Sequence, residues 1–249
     1  MKIIQPYAKM LSVHGPTFFT NTEGLGLLRK IEAFGRISHR TEEAQTPDSF
    51  DRFLRSVVLY HGDWSIVEHA NVTVEAVVDR GVQQELTRHR LASYTIESTR
   101  FVNYEKKMKP SFIYPQVGIV CPHCEAGLEP VRCFPNWTHG PNGLCSYRPS
   151  WLNAISTCEA EYLSLVKNDG WRPQEARSVF PLALSSKIAI TCNLRNWRHL
   201  FIMRTTTETH PQFRQVFIPL LQEFQDKIPI LFEDIQPLSR QIDNLRKPR

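Results

Sequence analysis

Glu85 to Arg100 reads E-L-T-R-H-R-L-A-S-Y-T-I-E-S-T-R, and the rest of the chain is organised around it. Arg88, His89 and Arg90 are adjacent, Ser98 follows after seven intervening residues, and Arg100 closes the stretch. A guanidinium is permanently charged, and its planar fork matches phosphate oxygens two at a time. Three Arg fall within thirteen residues, with only Glu85 and Glu97 to offset them. Holding such a group together is costly unless something anionic neutralises it, and a phosphate-bearing ligand would do so. The alternative is a solvated charged face. Against it, the charges alternate with Leu86, Leu91, Ala92, Tyr94 and Ile96, which predicts a half-buried segment.

Upstream, Asn71 to Val78 alternates with β-branched residues at Val72, Val74 and Val77, which predicts a strand, and Arg80 to Arg88 follows as a helix that delivers the cations at its C-terminal end. Residues 2–13 read as a further strand, bounded by Gly15-Pro16. Asn21 is placed to cap a helix through Leu25, Leu28, Ile31 and Phe34 to Gly35, and a second helix runs from Asp48 to His61 and ends near Gly62. Downstream, helices are expected over Trp151–Val166, from Pro173, over Asn196–Met203 and over Pro211–Ile228, with a short strand at Ala189–Cys192. Strands and helices alternate without a glycine-rich dinucleotide turn. A nucleotide would therefore be held by side chains. The fold class expected is α+β, a mixed α/β single domain over residues 1–249 with a Cys-rich insertion at 115–150.

The composition is that of an ordinary globular protein, 41% hydrophobic and 22% charged over 249 residues. A net charge of +5 suits anionic ligands but is too small and dispersed to argue for nucleic acid. No apolar run approaches the ~20 residues of a membrane span, and the start of the chain lacks the apolar core of a secretion signal. A cytoplasmic protein with no nucleic-acid or membrane partner is expected. Four of the six Cys cluster in the insertion, at Cys121, Cys124, Cys133 and Cys145. In a cytosolic protein, thiols at this spacing favour a structural zinc over disulfides, with His123 and His139 as substitute ligands. The other possibility is an unmetallated surface loop.

The R-H-R-x7-S pattern resembles the hallmark of the flavin-dependent thymidylate synthases, the ThyX family. S-I-V-E-H at Ser65–His69 resembles the family's S-x-x-E-H, A-R-S-V-F-P-L at Ala176–Leu182 its A-R-x-x-L-P, and N-L-R-N-W-R-H-L-F-I-M-R at Asn193–Arg204 its N-x-R-x-W-R-H-F-x-x-x-R. The four blocks occur in the family's order. The resemblance implies methylation of deoxyuridylate (dUMP) at C5 to give dTMP, with FAD as cofactor, NADPH as reductant and methylenetetrahydrofolate as one-carbon donor, in a homotetramer. It implies flavin contacts from Ser65, Arg88, His89, Arg90, Asn193, Arg195 and His199. It also implies substrate contacts from Glu85, Arg88, Glu97, Ser98, Thr99, Arg100, Arg177 and Arg204. Arg204 would be catalytic, stabilising negative charge near the N3–C4 edge of the pyrimidine; Ser98 would orient rather than attack. Bland alternatives are that Glu85 pairs with Arg88, that His199 is a core histidine and that Arg177 is half of a surface ion pair. Three positions depart from the family pattern: Asp63 for His, Ile96 for Gln or Glu, and Phe101 for Tyr. These keep open a ThyX-like flavoenzyme acting on a different uridine nucleotide or transferring a different one-carbon group. A zinc-stabilised nucleic-acid binder is the non-enzymatic rival, weakened by the few basic residues (Arg132 and Arg148) in the insertion.

Overall fold

The computed structural model describes residues 2–14, 17–106, 108–114 and 149–237. The proposed zinc ligands Cys121, Cys124, Cys133 and Cys145, and the substitutes His123 and His139, lie outside the described residues, as does the tail from Arg246. The chain folds into two compact units, each assembled from three separated segments. The larger comprises Pro6–Val78, Val82–Ile96 and Lys187–Arg249; the smaller comprises Met1–Gln5, Asp79–Gly81 and Glu97–Ser186.

The larger unit is built on a sheet of β2 (Tyr7–Leu11), β3 (Asn71–Asp79), β6 (Ser185–Asn193) and β4 (Ser93–Ile96), in the order β2-β3-β6-β4. β2 runs antiparallel to β3 with Tyr7 opposite Val77, and β4 antiparallel to β6 with Tyr94 opposite Ile190. The period of two in a strand sorts the faces. Val72, Val74, Ala76 and Val78 of β3 and Ile188, Ile190 and Cys192 of β6 enter one hydrophobic core. Between them, Glu75 on β3 is paired by Lys9 at 3.3 Å and Lys187 at 2.7 Å, and Thr73 meets Thr191 at 2.8 Å.

Helices close the apolar face. α1 (Asn21–Ile37) contributes Leu28 and Ile31; α6 (Leu194–Arg204) contributes Trp197 and Phe201. α7 (Pro211–Lys227) buries Phe213, Val216, Phe217, Leu220, Leu221 and Phe224, the i, i+3, i+4, i+7 stripe of an amphipathic helix. The fully buried Trp197 donates its indole N–H to the Val72 carbonyl at 3.0 Å, which satisfies the ring's one polar group and ties α6 to β3. Truncating such a ring to Ala costs about 3–5 kcal/mol.

The helix starts correct one sequence expectation. Thr20, not Asn21, caps α1. Its hydroxyl accepts from the Glu23 amide while the Glu23 carboxylate accepts from the Thr20 amide at 2.7 Å, a reciprocal box that requires Glu three residues on. Burial pushes the Glu23 carboxyl up, but bonds from Ser12, Thr20 and the Val13 amide outweigh it and hold it down at about 2. The expected 48–61 helix forms as α2 (Phe50–Leu54) continued by a wider π turn at Arg55–Tyr60, and ends at Gly62 with φ of 81°. The single strand expected over 2–13 is two, β1 (Lys2–Ile4) and β2, in different sheets. They part at Gln5-Pro6, where Pro cannot donate to a ladder. No helix among the described residues is long and apolar enough to cross a membrane.

In the smaller unit β1 lies parallel to β5 (Ser111–Ile113), with Lys2 opposite Ser111 and Ile4 opposite Ile113. α4 (Pro149–Lys167) and the short α5 (Pro173–Ala176) follow, with a 3-10 turn at Arg177–Val179. Phe180 joins its two small cores: it stacks on Tyr162 at 4.4 Å and meets the edges of Tyr104 at 5.5 Å and Phe112 at 6.0 Å.

Candidate active site

In the larger unit, α3 (Arg80–Leu86) runs out just before Arg88-His89-Arg90, which form a loop leading into β4. α6 presents its C-terminal Arg204 to this loop. The Arg204 guanidinium donates from Nε to His89 Nε2 at 3.0 Å and from Nη1 to Glu85 Oε2 at 3.1 Å, and stands 5.0 Å from the centre of the Phe213 ring. Glu85 therefore pairs with Arg204 rather than Arg88. A guanidinium carries five N–H donors, and these bonds use two, so the rest remain for a ligand. Burial, then the Arg204 guanidinium and the neighbouring His199 ring, lowers the His89 pKa from 6.5 to about 4, so the ring is neutral at physiological pH.

The remaining flavin candidates lie on or beside α6. Asn193 is its N-cap, accepting from the Asn196 amide at 2.9 Å through Oδ1. Arg195 and His199 are exposed one turn apart on the helix, so His199 is not a core histidine. Arg195 is held at 2.5 Å by Glu68, which brings the S-x-x-E-H block and the N-x-R-x-W block together. Ser65 and Asp63 are exposed at the turn Trp64–His69 and its cap. Arg88 and Arg90 are exposed, and among the described residues neither guanidinium has a hydrogen-bond or ion-pair partner.

The smaller unit carries the other substrate candidates. Arg177 donates to the Thr99 hydroxyl at 2.9 Å and has no ion pair among the described residues, and the Ser98 hydroxyl accepts from the Arg100 amide at 3.2 Å. Tyr104 donates to the Glu97 carboxylate at 3.1 Å; burial and then that carboxylate push the Tyr104 hydroxyl well above its ordinary pKa. Both terminal nitrogens of Arg80 lie 3.4 Å from the Glu97 carbonyl. Phe101, one of the three departures, is 73% exposed with the Arg100 guanidinium 5.4 Å from its ring. Arg90 and Arg100 thus stand in different units, although the sequence places them ten residues apart.

Sequence reasoning missed several residues that shape these groups. Phe213 under Arg204 carries only the signal of an amphipathic helix. Tyr94 donates to the carbonyls of Leu86 and His89, and Asn196 to that of Leu91; of these, only Tyr94 carried a hint, its place in a half-buried alternation. Among the described residues no group of three or more His, Cys, Asp or Glu could hold a metal.

A neutral His beside a tethered Arg and an exposed cationic loop thus sit together in a mixed sheet-and-helix fold. The sequence profile of the family described as "Thymidylate synthase complementing protein" (Thy1) matches residues 25–230. Relatives named flavin-dependent thymidylate synthase include one from Pyrococcus furiosus, 27% identical over 212 residues and covering 83% of this chain and 70% of the relative. Another, from Mycobacteroides abscessus, is 27% identical over 234 residues, covering 93% and 88%. In fold, the chain resembles thymidylate synthase X from Helicobacter pylori, solved with FAD and dUMP, at a TM-score of 0.63 and 19% identity over 92% of this chain and 98% of that one. It also resembles PolB from Streptomyces cacaoi, a UMP/dUMP methylase solved with 5-Br dUMP, at 0.66 and 19% over 94% and 96%. The chain belongs to the Thy1 family of flavin-dependent thymidylate synthases.

Proposed function

We propose that this protein is a flavin-dependent thymidylate synthase, converting dUMP to dTMP by reductive methylation at C5 with methylenetetrahydrofolate as carbon donor and NADPH as reductant. The observation that carries it is the Glu85–Arg204–His89 group beside the exposed Arg88 and Arg90 in a chain of this family. The unpaired guanidiniums suit the diphosphate of FAD, with Ser65, His89, Asn193, Arg195 and His199 as its further contacts. When bound, FAD supplies the hydride that carries a methylene to methyl, and NADPH restores it.

C5 of a uracil ring becomes nucleophilic only when negative charge is placed in the ring. Arg204 is suited to stabilise that charge, because Glu85 and His89 fix its orientation while its other N–H donors stay available. Neutral His89 supports the guanidinium without adding a competing cation. Glu97, Ser98, Thr99, Arg100 and Arg177 bind and orient the nucleotide; Ser98 adds no covalent bond. By resemblance the working form is a cytoplasmic homotetramer, in which more than one subunit contributes to a site. The catalytic fold spans residues 1–249, with the 115–150 insertion stapled by zinc on Cys121, Cys124, Cys133 and Cys145.

A second reading is favoured by Asp63, Ile96 and Phe101 and by the fold's likeness to a UMP/dUMP methylase: C5 modification of another uridine nucleotide, or transfer of a different one-carbon group. One experiment separates the two. The purified protein's visible spectrum is recorded, NADPH is added, and dUMP or UMP with methylenetetrahydrofolate is followed by mass. A flavin spectrum with methyl gained on dUMP supports the first reading; a flavin spectrum with product only from UMP, or with a different mass gain, supports the second. Absence of bound or bindable flavin overturns both.

A further inference from the structure

The geometry points to Tyr94 and Asn196 as positioning residues that clamp the backbone of the Arg88–His89–Arg90 loop in shape for an anionic ligand. The inference rests on the flavin reading above for the ligand's identity, not for the clamp.

Between the end of α3 and the start of β4 the chain has no ladder to satisfy its carbonyls. The Leu86 carbonyl is one of the orphans every helix C-terminus leaves. It accepts from the His89 amide at 3.0 Å and from the Tyr94 hydroxyl at 2.8 Å, and the same hydroxyl lies 2.8 Å from the His89 carbonyl. A phenol has one hydrogen, so it is shared between two carbonyls that flank the first half of the loop. Burial, then Cys192, raises the Tyr94 hydroxyl to about 12, so it stays a donor throughout the physiological range. Its own placement is fixed by the pairing of Tyr94 with Ile190 in the sheet. On the far side, Asn196 Nδ2 donates to the Leu91 carbonyl at 2.9 Å. Asn196 is itself fixed, since its amide donates to the Asn193 cap of α6. The carbonyls at 86, 89 and 91 are therefore all held from within the larger unit, while the guanidiniums of Arg88 and Arg90 project into solvent. The cations need no induced ordering of their backbone when an anion arrives, and preorganisation of this kind appears as affinity.

Tyr94→Phe and Asn196→Ala, stripped of copurified flavin, are each titrated with FAD. Their Tm is measured, and trypsin nicking after Arg88 and Arg90 is timed without ligand. Loss of one such hydrogen bond should weaken FAD binding about tenfold, speed nicking, and leave Tm close to the parent's. Asn196→Ala leaves the core untouched, so it decides the matter should Tyr94→Phe unfold. Unchanged Kd and unchanged nicking overturn the clamp, as does a lowered Tm with unchanged Kd. Should the parent protein bind no FAD, the flavin reading fails on its own account, and the nicking rates alone decide: equal rates overturn the clamp, faster rates uphold it.

Discussion

Arg204 and Arg90 carry the same charge in the same unit and are held in opposite ways. Arg204 is half-buried, bonded to His89 and Glu85 and backed by Phe213. Arg90 lies between the tethered carbonyls of His89 and Leu91, with an exposed head that has no partner among the described residues. A guanidinium oriented before any ligand arrives suits charge that develops at one place during a reaction. One that is free at its tip suits a flexible polyanion, which it can follow. The difference sets a pre-oriented cation apart from a free one within the same unit.

Four substitutions or conditions test that separation. Arg204→Ala should lower kcat by about 100-fold or more, the scale of losing a preorganised donor, with circular dichroism and Tm retained; near-normal turnover would remove its chemical role. Arg90→Ala should raise the Kd for FAD by roughly 10- to 100-fold through loss of a charge-assisted bond, with kcat at saturating FAD little changed. A mutant that retains flavin as the parent does would erase the contrast from the other side. Glu85→Ala should lower kcat about tenfold by releasing one of the two tethers on Arg204, and leave flavin affinity intact. If instead flavin binding fell and kcat held, Glu85 would belong with the binding cations.

The smallest effect is in pH. His89 has its pKa lowered from 6.5 to about 4 in the fold, so between those values the unfolded chain binds the extra proton and the folded one does not. Its contribution to stability is complete above about pH 6.5 and is lost as pH falls toward 4. The groups facing it are Arg204 and His199. Denaturant midpoints of the parent should fall across this window more steeply than those of His89→Gln; parallel curves would mean that His89 is not held neutral.

The long elements were legible because each has a clean period: β3 alternates through Val72, Val74 and Ala76, and α7 repeats its apolar residues at three and four. β6 was read as Ala189–Cys192 but runs Ser185–Asn193, because Ser186 is fully buried and Lys187 interrupts the apolar pattern on the outer face. β4 went unread: four residues inside a charged motif do not establish a period of two. The cap at Thr20 was written in the sequence as Thr-x-x-Glu, and Asn21 beside it drew the assignment. In the site, the family resemblance named Glu85 and Arg204 as substrate contacts and His89 as a flavin contact, but nothing local told which carboxylate Arg204 would take. Partners 115 and 119 residues apart meet only through the sheet order that sets α6 beside the end of α3.

The bond from Arg204 to His89 has one more consequence. Arginine Nε can only give a proton, so the imidazole nitrogen that receives it is bare. A neutral ring then carries its single hydrogen on Nδ1, and this tautomer is chosen by the protein rather than by the solvent. From about pH 4 upward the loop keeps one uncharged donor of constant direction, a fixed point beside cations whose heads are free to turn.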